Sequence, residues 1–115
     1  MKFANLMKYL DIYVLPLYPI NKMKNNMRYS ITNPNENSYR IESEVVSVII
    51  TTAFDKVSII GTHSSESYPI HMYFDMGQEV PSVLPINGWS TIYDIIYDII
   101  VELIYDLIRE GMSHS

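Results

Sequence analysis

The chain has 115 residues, no cysteine, a net charge of −5, and 48% hydrophobic against 18% charged residues. That length suits one domain, expected over 1–115, and the high Ile and Tyr content excludes disorder throughout. The absence of cysteine excludes disulfides, thiolate nucleophiles and cysteine-bound metals, and fits a reducing, cytoplasmic setting.

The opening MKFANLMKYLDIYVLPLYPI does not read as a secretory signal, because Lys8, Asp11 and Pro16 break its apolar part. Phe3, Leu6, Met7, Leu10 and Val14 follow helical spacing, which predicts a short helix over 3–14 that Pro16 and Pro19 end. NKMKNNM, 21–27, has neither periodicity nor bulk and reads as a loop. RYSIT, 28–32, is strand-like, and NPNEN, 33–37, is a turn signal.

The run YRIESEVVSVIITTAF, 39–54, is the longest strand-like stretch. Both of its faces change character midway, so a bulge, or an apolar second half covered on both sides, is expected. A tight turn at Asp55–Lys56 leads into a further strand, and THSSES, 62–67, reads as a polar loop. YPIHMYF, 68–74, alternates cleanly, and Pro69 favours an edge position. MGQEVPSVLPING, 76–88, reads as an irregular crossing.

The last element is the most strongly patterned. IYDIIYDIIVELIYDLIRE predicts a helix over 91–110. Thr91 with Asp94 forms a capping box, Ser90 is a rival cap, Arg109 stands in the last turn, and Gly111 is the stop. The expected fold class is therefore α+β: an antiparallel sheet of about four strands, a short N-terminal helix, and a long C-terminal helix packed across the sheet.

Asp94, Asp98, Glu102, Asp106 and Glu110 recur every fourth residue. A step of four turns the helix by about 400°, so the acids spiral by roughly 40° per step instead of forming a straight face. Four like-charged pairs oppose the helix by about 1–2 kcal/mol in all, which burial of its Ile and Leu rows outweighs. The apolar arc is too wide for one covering surface. The N-terminal helix or a second copy of the chain is needed beside the sheet, and a homodimer is expected.

The charge is divided along the chain. Residues 1–28 hold five bases and one acid, whereas 29–115 hold three bases and twelve acids. A basic head can pair with the acidic body internally or across a dimer. A solvated face is the plain reading of the acidic row. Its functional alternative is a recognition stripe for the basic surface of a protein partner, with Tyr93, Tyr97 and Tyr105 as aromatic anchors. Four acids inside the apolar helix argue against a membrane span, and the dispersed N-terminal bases argue against direct nucleic-acid binding.

Reactive constellations are not visible. His63, His71 and His114 lack metal-ligand spacing, THSSES does not define a triad, and Gly61, Gly77, Gly88 and Gly111 are isolated. No catalytic residue, metal or cofactor is assigned. Seventeen Ile and eight Asn beside four Gly point to an AT-rich genome. The function expected first is a non-enzymatic interaction module, of the kind a virus or phage uses to inhibit a host defence or nucleic-acid-handling protein. An assembly subunit of a larger, viral particle comes second, and a small enzyme third.

Overall fold

The computed structural model describes residues 1–81 and 91–113. Helix α1 spans Phe3–Tyr13, strands β1 to β6 span Ile20–Lys24, Met27–Asn35, Ser38–Glu42, Val46–Ala53, Lys56–His63 and Ile70–Asp75, and helix α2 spans Thr91–Ser113. The six strands form one antiparallel sheet in sequence order, a plain meander. The fold is α+β as expected, but the sheet has six strands where the sequence suggested about four.

Both additional strands have local causes. In the segment read as a loop, Asn25 and Asn26 both take left-handed φ angles, 51° and 63°. Two such residues make the tight hairpin turn that asparagine tolerates, and they set Lys24 opposite Met27. The long run splits at Ser43, whose hydroxyl accepts the amides of Val45 (3.3 Å) and Val46 (3.1 Å). That side chain supplies the turn between β3 and β4, so the change of face midway marks a reversal and not a bulge.

A bulge does occur, one strand earlier. Register shifts between Thr32 and Asn35 of β2, where Pro34 has no amide to give the ladder. The Asn33 side chain fills in, donating to the carbonyls of Asn35 (2.9 Å) and Ser38 (2.7 Å). The turn expected at Asp55–Lys56 sits one residue earlier, because Ala53 pairs with Lys56 and leaves Phe54 and Asp55 as the loop.

One face of the sheet carries the core. Tyr29, Ile31, Tyr39, Ile41, Val48, Ile50, Val57, Ile59, Ile70, Met72 and Phe74 form one buried cluster with Phe3, Leu6, Met7 and Leu10 of α1 and with Ile96, Ile100, Leu103, Ile104 and Leu107 of α2. Along β6 burial alternates strictly, as period-two geometry demands. Phe74 stacks on Phe3, ring centroids 4.5 Å apart, and meets Tyr97 at 5.9 Å. One ring thereby joins both helices to the last strand.

α1 begins without a side-chain cap. The amides of Phe3 and Ala4 donate instead to the carbonyls of Gln78 (3.0 Å) and Met76 (2.8 Å), and Val80 donates to Met1 (2.8 Å). The chain end is thus tied to the segment after β6, and the terminal amine pairs with Glu79 at 2.9 Å. That ammonium holds the Glu79 carboxyl below the usual glutamate range.

α1 also settles the question of the wide apolar arc. Phe3, Leu6 and Met7 line the same small interior gap as Ile100, Val101 and Ile104, so the second cover over α2 comes from within the chain. Gly111 is not the stop that its residue type suggests, because α2 continues to Ser113. A Cβ at Gly111 would run into the Tyr13 ring, so glycine is used there for the close approach of the two helices. Ser90, the Thr91 side chain and most of the crossing expected over 76–88 lie outside the described residues.

Candidate functional site

The acidic row of α2 divides into two halves with different surroundings. On its C-terminal half, Lys22 pairs with Glu110, and Lys24 lies 3.6 Å from both Glu102 and Asp106. Arg109 pairs with Asp106 one turn away. The basic head of the sequence thus meets the acidic body within the same chain.

The geometry of β1 explains this. Ile20, Lys22 and Lys24 are half-buried while Asn21 and Met23 are exposed, so both lysines point inward from an edge strand toward α2. Inward charges on an edge deter pairing with a foreign strand. The acids opposite let those charges sit there without remaining unpaired. Each pair is part-exposed and contributes at most about 1 kcal/mol. Lys22→Gln with Lys24→Gln is therefore expected to lower stability by roughly 1 kcal/mol in dilute buffer. Chemical denaturation should show the difference shrinking in 1 M salt, where the Debye length is about 3 Å.

On the N-terminal half, neither Asp94 nor Asp98 has an ion-pair partner among the described residues. Asp98 lies on the wall of a groove of about 390 Å³, lined by Asn25, Met27, Tyr29, Val45, Val46, His63, Ile95, Ile99 and Glu102 as well. The groove runs between α2 and the sheet end that carries the β1–β2 and β3–β4 turns. Burial raises the Asp98 carboxyl above the ordinary aspartate value, and the charges of Glu102 and Asp94 push it further the same way. Beside Asp98 stand Met27, Val45, Ile95 and Ile99, an apolar floor next to a carboxylate that has no ion-pair partner among the described residues.

The three tyrosines have different positions. Tyr93 and Tyr105 are half-buried at the edge of the core. Tyr97 is a correction to the expected set of anchors, being only 1% exposed. Its hydroxyl donates to the Pro81 carbonyl. The spiral drift of the rows turns Tyr97 under α2, toward Phe74, while its neighbours stay at the rim.

Burial holds the Tyr97 phenol far above its usual value, with Tyr105 and Asp98 adding to the effect; burial and Glu102 raise Tyr29 likewise. A phenol that keeps its proton only in the folded state gives full stability below the unfolded value of about 10, and this is lost as pH rises above it. Stability is expected to fall above pH ~10 by up to about 1.4 kcal/mol per pH unit for Tyr97 alone. Tyr97→Phe should flatten that part of the alkaline unfolding curve.

The other sheet face has no helix on it among the described residues. It carries a hydrogen-bonded row that the sequence reading missed: Ser58 Oγ lies 2.9 Å from His71 Nε2, and His71 Nδ1 lies 3.1 Å from the Tyr73 hydroxyl. Period-two alternation in β5 and β6 was the signal that could have found it, since Ser58 pairs directly with Tyr73. The row is exposed on a flat surface, without the enclosing pocket and converging donors that acyl transfer requires. His63, in contrast, accepts from the Ser65 amide at 3.1 Å and so stabilises its own turn. Among the described residues, no cluster of His and carboxylates could hold a metal ion, and no helix is long and apolar enough to cross a membrane.

Compared with protein-family models, curated proteins and solved structures, the chain matches none.

Proposed function

We propose that the chain is a non-enzymatic protein-binding module that holds a basic, partly apolar segment of a partner in the groove beside Asp98. The observation that carries this reading is a carboxylate without an ion-pair partner among the described residues, Asp98, standing on the wall of a groove with an apolar floor. A Lys or Arg head placed there relieves the repulsion among Asp94, Asp98 and Glu102, while its aliphatic stem lies against Met27, Val45, Ile95 and Ile99. The recognition stripe is accordingly narrower than the whole acidic row, since the row's C-terminal half serves Lys22 and Lys24.

Such a module inhibits a nucleic-acid-handling protein by occupying the basic surface that phosphates otherwise contact. The composition of the chain supports a viral or phage origin for an inhibitor of this kind.

Fluorescence anisotropy with labelled peptides of mixed Lys, Arg and Leu tests the reading, against acidic peptides of equal length. Wild type should bind the basic set, and Asp94→Asn with Asp98→Asn should weaken binding at least tenfold, about 1.4 kcal/mol. The unfolding midpoint of Asp98→Asn alone should be unchanged or raised, because burial and the charges of Glu102 and Asp94 oppose the Asp98 carboxylate. Binding should also weaken on acidification at a pH above the ordinary aspartate value of about 3.9, as Asp98 takes up its proton early. Equal binding by both proteins would contradict the proposal.

A further inference from the structure

A phenol that folding takes out of water ordinarily finds a partner for its hydroxyl, because an unmatched polar group is costly. Tyr29, Tyr39 and Tyr97 are each at most 4% exposed. Tyr39 donates to Asp11, and Tyr97 donates to the Pro81 carbonyl. The Tyr29 hydroxyl has no hydrogen-bond partner among the described residues. No sealed side-chain oxygen or nitrogen among those residues lacks a partner, so the Tyr29 oxygen opens onto a space. The space that Tyr29 lines is the groove beside Asp98.

Strand geometry brings the ring there. Met27, Tyr29 and Ile31 share the inward face of β2, and Tyr29 stands across from Lys22 of β1. The Lys22 ammonium turns to Glu110 and Lys24 lies against Glu102 and Asp106, so neither lysine serves the phenol. Burial first, and then the charge of Glu102, hold the Tyr29 phenol above its usual value. The hydroxyl therefore keeps its proton beside a carboxylate to which it is not bonded.

Resting on the basic-segment reading of this groove, we infer that it selects arginine over lysine, with Asp98 taking one edge of the guanidinium and the Tyr29 hydroxyl accepting a hydrogen bond from the other. The two acceptors come from different walls, Asp98 from α2 and Tyr29 from β2. A guanidinium carries its donors around a rigid plane, so two can meet a carboxylate while another reaches a second acceptor. An ammonium has all its donors on one nitrogen, which must approach both acceptors to about 3 Å at once. The guanidinium is also the more weakly hydrated cation, and its plane suits the apolar surface of Met27 and Val45. The remaining polar wall does not favour lysine. His63 Nδ1 already accepts the Ser65 amide at 3.1 Å, which leaves the neutral ring a donor only, and Glu102 is shared with Lys24.

Fluorescence anisotropy tests this with three Leu-containing peptides that differ at one position, holding Arg, Lys or neutral citrulline. Wild type should bind the Arg peptide about tenfold more tightly than the Lys peptide, and the citrulline peptide more weakly still. Tyr29→Phe should bring the Arg-to-Lys ratio down to about threefold or less, by weakening the Arg peptide and leaving the Lys peptide unchanged. Its unfolding midpoint should be unchanged or higher, since the hydroxyl removed had no partner. Equal affinity for Arg and Lys would overturn the selection while leaving a basic-segment groove standing, whereas no affinity for either would remove the groove reading and the selection together. Citrulline binding as tightly as Arg, a ratio unmoved by Tyr29→Phe, or a lowered midpoint in that variant would each overturn the role of Tyr29 or of the guanidinium charge.

Discussion

Phe74→Ala is expected to lower stability by about 3–5 kcal/mol, the range for emptying a large aromatic site in a core. The position is a junction, because Phe74 stacks on Phe3 of α1 at 4.5 Å and lies 5.9 Å from Tyr97 of α2. Its removal loosens three elements at once. The N-terminal segment is also held by backbone bonds to residues 76, 78 and 80, immediately beyond the same strand. The midpoint of thermal unfolding should fall by roughly 10–20 °C, a large part of the margin available to a chain of this size. Near-ultraviolet circular dichroism should lose its aromatic signal in the same transition. A shift below a few degrees would mean that Phe74 does not join the helices to the sheet.

Gly61→Val is expected to cost about 1–3 kcal/mol by overpacking. Gly61 sits on the core face of β5, where a Cβ would stand 3.0 Å from Cδ1 and 3.2 Å from Cγ2 of Ile96, and 3.5 Å from Cγ2 of Val48. Ile96 is fully buried, so it cannot yield without moving α2. The glycine therefore sets how closely the helix approaches the sheet, and with it the width of the groove that Ile95, Asp98 and Ile99 line. Ile96→Val removes one of the two close atoms. Combining it with Gly61→Ala should recover part of the loss, which denaturant titration of the single and double variants would show as a non-additive term.

Much of the architecture was legible because local chemistry and burial agree. The apolar spacing of Phe3, Leu6, Met7 and Leu10 gave α1 to within a residue, and the alternation of Ile70, Met72 and Phe74 gave β6. α2 was clear from its Ile and Leu rows. Two strands escaped because their turns take only one or two polar residues and leave little mark on the apolar pattern. The Asn25–Asn26 reversal lies inside a stretch that has no apolar period, and Ser43 reverses the chain inside one that does. Gly111 misled for a related reason: a glycine used for close approach to Tyr13 looks, in sequence, like one that ends a helix.

The candidate site was legible only in part. The row of acids was plain, but its division was not. That division depends on β1 pairing with β2 so that Lys22 and Lys24 face inward, a tertiary outcome that no spacing rule within 91–110 encodes. The burial of Tyr97 likewise follows from where the helix rests on Phe74. Met27, Val45 and His63 come from three different strands or turns, and only the folded sheet gathers them beside Asp98.

Amide shift mapping of the labelled protein, titrated with a basic Leu-containing peptide, tests the central claim most directly. Shifts concentrated on Asn25, Met27, Val45, His63, Ile95, Asp98 and Ile99, and lost in Asp94→Asn with Asp98→Asn, are the predicted result. Shifts centred on Asp106 and Glu110, or on the open face around His71 and Tyr73, would contradict it.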